Sequence, residues 1–213
     1  VLLEDTTATY GALSAEASGS IDLQNGYDLA GTINPVTLQG LADTFDFDYP
    51  VEMSGTLRAT EVELTGPLDA PTVSGLVTTV ALATIHLVEF ARASSQVTYG
   101  PEGFQFRDFD AEPVAGGSLR GNGELLFGRP PFLDFELAGR NLPADAIARL
   151  YGLEEDLSIG DLTLDANISG PFNDLNGVIS WNAPDGTYPT RGTAEITAST
   201  LRLRNAEIAG GTV

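Results

Sequence analysis

Apolar and polar residues alternate strictly along several short segments of the chain. In residues 161–168, every second position is apolar, and an Asp, Thr or Asn stands between each pair. Successive side chains of a β-strand point to opposite faces, so this pattern predicts strands with one apolar and one polar face, as in an antiparallel sheet. The alternating apolar positions are Leu162, Leu164, Ala166 and Ile168, then Leu133, Phe135 and Leu137, then Val62 and Leu64, and then Leu201 and Leu203.

Turn residues separate these segments, and two segments have helical features. Gly, Pro, Asn and Asp cluster at 24–26, 66–67, 100–101 and 184–186, where short connections are expected. Asn34 followed by Pro35 is typical of a helix start, which predicts a helix near 35–43 with Asn34 as its N-cap. A second short helix is predicted near 143–151, with Gly152 ending it. The apolar stretch 80–90, which contains His86, is expected to be a strand.

The chain repeats itself. It closes on RNAEIAGGTV, and DFDAEPVAGGSL stands in mid-chain; two further pairs of similar phrases follow the same order in both halves, about 100 residues apart. We therefore predict two tandem units, 1–117 and 118–213, each with roughly six strands and one helix. No linker composition separates them, so they should form one continuous sheet. A strand follows the first Gly-Gly pair, and we expect the chain to be a piece of a longer protein with further units.

Composition and charge argue against several classes of function. The net charge is −20 and every cation is arginine, which disfavours binding to nucleic acid. With no cysteine and one histidine, the chain lacks thiolate nucleophiles and Cys-ligated zinc. The acidic segment 43–48 lacks the spacing of an EF-hand loop. We find no catalytic motif, and we predict a protein that is not an enzyme and has no cofactor or metal.

The apolar face of the strands must be shielded from water, and the alternating sequence pattern is compatible with two ways of doing so. The sheet can pack on a second sheet in a closed sandwich, or it can curl into an open trough that holds an apolar ligand. Repetition favours the trough, because tandem units extend a groove. Trp181 is expected either to pack in a core or to line the groove. The candidate groove residues are Val62, Leu64, Leu133, Phe135, Leu137, Leu162, Leu164, Ile168, Ile179, Trp181, Leu201 and Leu203.

Three phrases of the second unit carry a family resemblance. LPADAIARLYG, VISWNAPDGTYPTRGTAEI and LRLRNAEIAGGTV resemble the repeats of the TamB family of AsmA-like, bridge-type lipid transfer proteins. The resemblance is strongest to cyanobacterial members and to their chloroplast inner-envelope relatives. It implies an all-β fold, an elongated curved antiparallel sheet shaped like a taco with an apolar interior.

The same resemblance implies a function in outer-membrane biogenesis. Family members are long periplasmic proteins, with an inner-membrane anchor and a C-terminal part that meets an outer-membrane barrel of the Omp85 type. The implied role is a non-enzymatic conduit for phospholipid acyl chains between the two membranes. The alternative is a scaffold that assists barrel assembly or protein translocation, for example by strand addition. A third hypothesis is an adhesin-type or enzyme-borne β domain.

Overall fold

The computed structural model describes residues 1–46, 48–49, 51–152, 158–187, 189–197, 200–208 and 211–212. Within these ranges the chain forms sixteen strands and two short helices. The strands of the first half are β1 (Leu2–Tyr10), β2 (Leu13–Asp22), β3 (Gly26–Thr37), β4 (Met53–Ser54), β5 (Thr56–Gly66), β6 (Thr72–Thr79), β7 (Ala83–Ile85), β8 (Val88–Gly100) and β9 (Gly103–Pro113). Those of the second half are β10 (Ser118–Leu126), β11 (Phe132–Pro143), β12 (Asp161–Pro171), β13 (Asn176–Ala183), β14 (Thr190–Thr197), β15 (Thr200–Ile208) and β16 (Gly211–Thr212). The helices are α1 (Leu38–Phe45) and α2 (Ala144–Leu150).

All described strands belong to one open antiparallel sheet whose strand order follows the chain. Only β4 and β7 lie off the main path, where β4 pairs with β7 and β7 with β8. The sheet does not close into a barrel, and the predicted fold class, an all-β open trough with one short helix in each half, is confirmed. β9 pairs with β10, so the sheet continues across residue 117. The division into units at that residue stays a prediction.

Bulges interrupt the ladders inside both copies of the repeated phrase. Asp108 has φ 51° and Asn205 has φ 50°, and both lie where the register with a neighbouring strand shifts. Asp and Asn tolerate this left-handed conformation better than most residues do. A bulge bends its strand and increases the local twist. The repeated phrase therefore marks recurring bends in the sheet.

The predicted start of the first helix is wrong by three residues. Asn34 and Pro35 belong to β3, and the N-cap is Thr37, whose Oγ1 accepts a hydrogen bond from the Gly40 amide at 3.0 Å. Pairing with β5 continues as far as Thr37, and a register shift between Ile33 and Val36 accommodates the proline, which has no N–H to donate. Sheet pairing thus prevails over the local helix-start pattern. The second helix lies within the predicted 143–151.

The sequence predicted that His86 lies in a strand, and this prediction is wrong. His86 lies in the turn between β7 and β8 with φ 54°, and its residue is exposed. Its backbone amide donates to the carbonyl of Glu52 at 2.7 Å.

The interior of the sheet is sparsely filled. Most of the buried apolar residues are alanines, such as Ala111, Ala166 and Ala183, and no large side chain among the described residues is fully buried. A closed sandwich would bury the large side chains of two facing sheets against each other. The apolar face of this sheet is instead only half covered, as an open trough requires.

Candidate functional site

Cross-strand register aligns apolar residues into rows that run across the sheet. In each row, every residue lies directly opposite the next one on the neighbouring strand. Row 1 is Leu29, Leu64, Val73, Tyr99, Phe104, Leu125, Leu133 and Gly170. It crosses eight strands, from β3 to β12, without an Asp, Glu or Arg.

Three further rows lie beside row 1, and they extend from β8 and β9 or from β10 into the second half of the sheet. Row 2 is Val97, Phe106, Gly123, Phe135, Ile168, Gly177, Ile196 and Leu201. Row 3 is Gly121, Leu137, Ala166, Ile179, Ala194 and Leu203. Row 4 is Ala93, Ala111, Leu119, Gly139, Leu164, Trp181 and Gly192. We call the four rows together the apolar face.

The rows contain ten of the twelve candidate groove residues. The other two also pair with uncharged residues across neighbouring strands, Val62 with Gly31 and Leu162 with Leu142. Most of the candidates are half-buried, whereas Val62 is buried and Leu203 is 52% exposed. The side chain of Leu201 lies outside the described residues. The structure thus brings the candidates together on one accessible face, and their contact with lipid stays a prediction.

Glycines form notches in this face opposite large side chains. A Cβ built on Gly123 would lie 2.5 Å from Cγ of Phe135, and one on Gly139 would lie 2.9 Å from Cγ of Leu164. The missing side chains therefore leave space into which neighbouring rings and branched chains settle. The surface combines rings with notches rather than packing into a dense core.

An aromatic cluster lies on the apolar face around the junction of the two halves, and helix α1 contributes to it. The ring of Phe45 lies 5.2 Å from Phe104 and 5.4 Å from Tyr99, between centroids. It also lies 6.3 Å from Tyr10 at the end of β1. Since β1 and β9 are far apart in the strand order, the sheet must curve around α1 for one ring to contact both. The full cluster is Tyr10, Phe45, Tyr99, Phe104, Phe106, Phe127 and Phe135.

Sequence reasoning found only Phe135 among these seven residues. Phe104 and Phe106 alternate with Gln105 and Arg107, and this alternation could have revealed them. Phe45 carries no such signal, because its place depends on how α1 crosses the curved sheet.

The opposite face of the sheet carries the charges. Cross-strand ion pairs join Arg92 to Glu112 and Arg191 to Glu207, at corresponding places in the two halves. The hydrogen bond from Arg92 holds the pKa of the Glu112 carboxyl below its usual range. All these side chains are substantially exposed, so each pair contributes little to stability. These charged side chains keep their face of the sheet hydrated, and the four rows of the apolar face contain no charged residue.

Helix α2 contacts the β7–β8 turn and the segment that leads into β12. The ring of Tyr151, which follows the helix, stacks on His86 at 5.6 Å with an interplanar angle of 18°. Asp145 in its first turn accepts hydrogen bonds from the amides of Ile159 and Gly160. These contacts hold α2 near the start of β12 and the β7–β8 turn.

Among the described residues, no three His, Asp or Glu side chains come together as metal ligands, the described part of 43–48 included. No helix in the part of the chain that the structure describes is long and apolar enough to cross a membrane.

Comparison with protein families decides the assignment. The family model described as TamB C-terminal domain matches residues 4–208. The chain belongs to the TamB family. Comparison with curated proteins and with solved structures gave no match. TamB proteins are envelope proteins that act in outer-membrane assembly or lipid transport, and the family is generally non-enzymatic.

Proposed function

We propose that the apolar face of this TamB chain conducts phospholipid acyl chains between the inner and outer membranes. The observation that carries the proposal is row 1, which crosses eight strands without a charged side chain and in which five of the eight residues are half-buried. Neighbouring strands lie about 4.8 Å apart, so the row is roughly 34 Å long. An extended acyl chain of a phospholipid fits within that length.

The energetic argument concerns the barrier to leaving a bilayer. Each methylene exposed to water costs about 0.8 kcal/mol, which makes free diffusion of a phospholipid through water very slow. An apolar face that contacts the acyl chain along its whole path offsets this cost. The headgroup stays at the open mouth, where no apolar partner is needed.

The family supplies the cellular setting of this proposal. The chain is then a periplasmic segment of a longer protein, which is anchored in the inner membrane and reaches the outer membrane. Its partner there is a barrel of the Omp85 type, contacted through a part outside this chain.

A second candidate is a scaffold that holds an unfolded barrel protein or a protein being translocated. It is favoured by β1, which among the described strands pairs with β2 alone and presents its other edge to strand addition. Purification followed by mass spectrometry separates the two candidates. Copurified phospholipid supports the conduit, and copurified extended polypeptide supports the scaffold.

A direct test uses neighbouring residues on β12. Ile168 is half-buried in row 2, and Asn167 is exposed on the charged face. Ile168→Arg should reduce uptake of a fluorescent phospholipid from vesicles about tenfold or more, because the cation must lose water as a chain passes. Asn167→Arg should leave uptake unchanged. Equal uptake by both variants, or none by the unmodified protein, would contradict the conduit.

A further inference from the structure

We propose that helix α1 is a gate across the acyl path of the first half, and that Phe45 is the residue which an acyl chain must displace. This inference rests on the proposed lipid function. Tyr99 and Phe104 belong to row 1, and the Phe45 ring covers both, with centroid distances of 5.4 and 5.2 Å. An acyl chain following row 1 would meet the same two rings from the same side. In this structure the path is therefore closed between β8 and β9.

The gate spans the trough from β1 to the residues that follow β10. Phe45 contacts Tyr10 of β1 on one side, and on the other it stacks near Phe127, just after β10, with 6.2 Å between ring centroids. Beside it, Asp46 faces Arg129 in the β10–β11 connection at 3.8 Å. The C-terminal end of α1 thus contacts both the end of β1 and the β10–β11 connection, which comes much later in the chain.

Little buried surface holds α1 closed. Hydrogen bonds tie the helix to its neighbours, from the Ala12 amide to Oγ1 of Thr44 at 2.9 Å and from the Tyr49 hydroxyl to the Leu38 carbonyl at 3.0 Å. The helix has eight residues, and a helix this short is marginal without tertiary support. Only Leu38 and Ala42 are buried in it. The Asp46–Arg129 pair is almost fully exposed on both sides, so it adds little. An incoming acyl chain would replace the apolar contacts of Phe45 with its own. The free energy lost when the ring leaves is therefore nearly offset by the free energy gained when the chain binds.

Helix α2 offers a contrast that isolates the gate residue. Its terminal ring, Tyr151, stacks on the exposed turn residue His86 and not on a row residue. The proposed gate is therefore a property of α1 and Phe45, not of every helix in the repeat.

A disulfide lock tests the gate, because the chain has no cysteine of its own. A Cβ built on Gly40 of α1 lies 2.9 Å from the Cβ of Ala12 in the β1–β2 turn. A shift of roughly 1 Å brings the pair to the separation of a disulfide. We expect Ala12→Cys with Gly40→Cys to take up about tenfold less fluorescent phospholipid when oxidised, and to recover when reduced. Phe45→Ala should take up more than the unmodified chain.

The matched control is a disulfide on the charged face. Ser180 and Thr193 pair directly across β13 and β14, with hydroxyl oxygens 3.4 Å apart. Ser180→Cys with Thr193→Cys should take up phospholipid equally in both redox states. Equal uptake by the oxidised and reduced lock would overturn the gate and leave the conduit standing. If no variant took up phospholipid, Phe45→Ala included, both the gate and the conduit would be overturned.

A second measurement does not depend on uptake or on the lock variant folding. Spin labels on Asp46→Cys and Arg129→Cys sit on exposed side chains at the closed end of α1. Vesicles of phosphatidylcholine should lengthen and broaden the distance between the labels. An unchanged distance in protein that has bound lipid would overturn the gate.

Discussion

The indole ring of Trp181 on β13 lies against Gly192 on β14, its direct cross-strand partner. A Cβ built on Gly192 would stand 2.6 Å from Cζ2 of the ring. The ring Nε1 donates to Oγ1 of Thr190 at 3.3 Å. The glycine and this hydrogen bond together lay the ring along row 4, where it forms part of the apolar face.

Replacing the glycine should expel the ring. Gly192→Val places two methyl groups where the indole lies, so we expect a loss of about 1–3 kcal/mol in the free energy of unfolding. Trp181 is the only tryptophan, and its fluorescence should shift to the red and become easier to quench with acrylamide. Gly100→Val is the control, because a Cβ there meets nothing within 4 Å. An unchanged emission spectrum in Gly192→Val would show that the notch does not position the ring.

A charge placed in row 4 distinguishes an open trough from a sealed core. Leu164 is half-buried, and the long side chain of Leu164→Arg can reach water at the open mouth. We expect folded protein with a loss of about 1–2 kcal/mol in a urea titration, against several kcal/mol for an unpaired charge in a sealed core. Thr163→Arg on the other face should stay within about 0.5 kcal/mol. Failure of Leu164→Arg to fold would contradict the trough.

Tyr49 anchors α1, and this anchoring should weaken at alkaline pH. Its hydroxyl donates to the Leu38 carbonyl at 3.0 Å, and burial raises its pKa from 10.0 to about 12. Folding therefore favours the neutral phenol. The resulting stabilisation is complete below pH 10.0 and is lost as the pH rises towards about 12.

Urea unfolding at pH 8 and pH 11 measures this effect against Tyr49→Phe, which cannot ionise. The unmodified chain should lose more stability between the two pH values than the variant does. The difference should not exceed about 1–2 kcal/mol, because the ring keeps contact with water. Identical pH profiles would show that the phenol ionises as freely in the folded chain as in the unfolded one.

The strands could be predicted because their pattern is local. Along β12, the alternation of Leu162, Leu164 and Ile168 with polar residues fixes which side chains share a face, whatever the rest of the sheet does. Along the main path of the sheet the strand order follows the chain, and only β4 and β7 depart from it among the described strands.

The features that the sequence did not reveal depend on contacts between distant segments. The helix start moved from Asn34 to Thr37 because β5 pairs with the end of β3. Phe45 joined the aromatic cluster only because the sheet curves towards α1. No local pattern encodes that curvature, although the positive-φ residues Asp108 and Asn205 in the repeated phrase mark the bulges that contribute to it.

The central claim is that lipid contacts the apolar face and no other. Strand β11 tests it with four consecutive residues, since Leu133 and Phe135 lie in the rows, whereas Asp134 and Glu136 are exposed on the charged face. A photoreactive phenylalanine analogue at each position in turn, irradiated with radiolabelled phospholipid, reports contact residue by residue. The account predicts lipid adducts at 133 and 135 and none at 134 and 136. Equal labelling at all four positions, or adducts to polypeptide alone at 133 and 135, would contradict it.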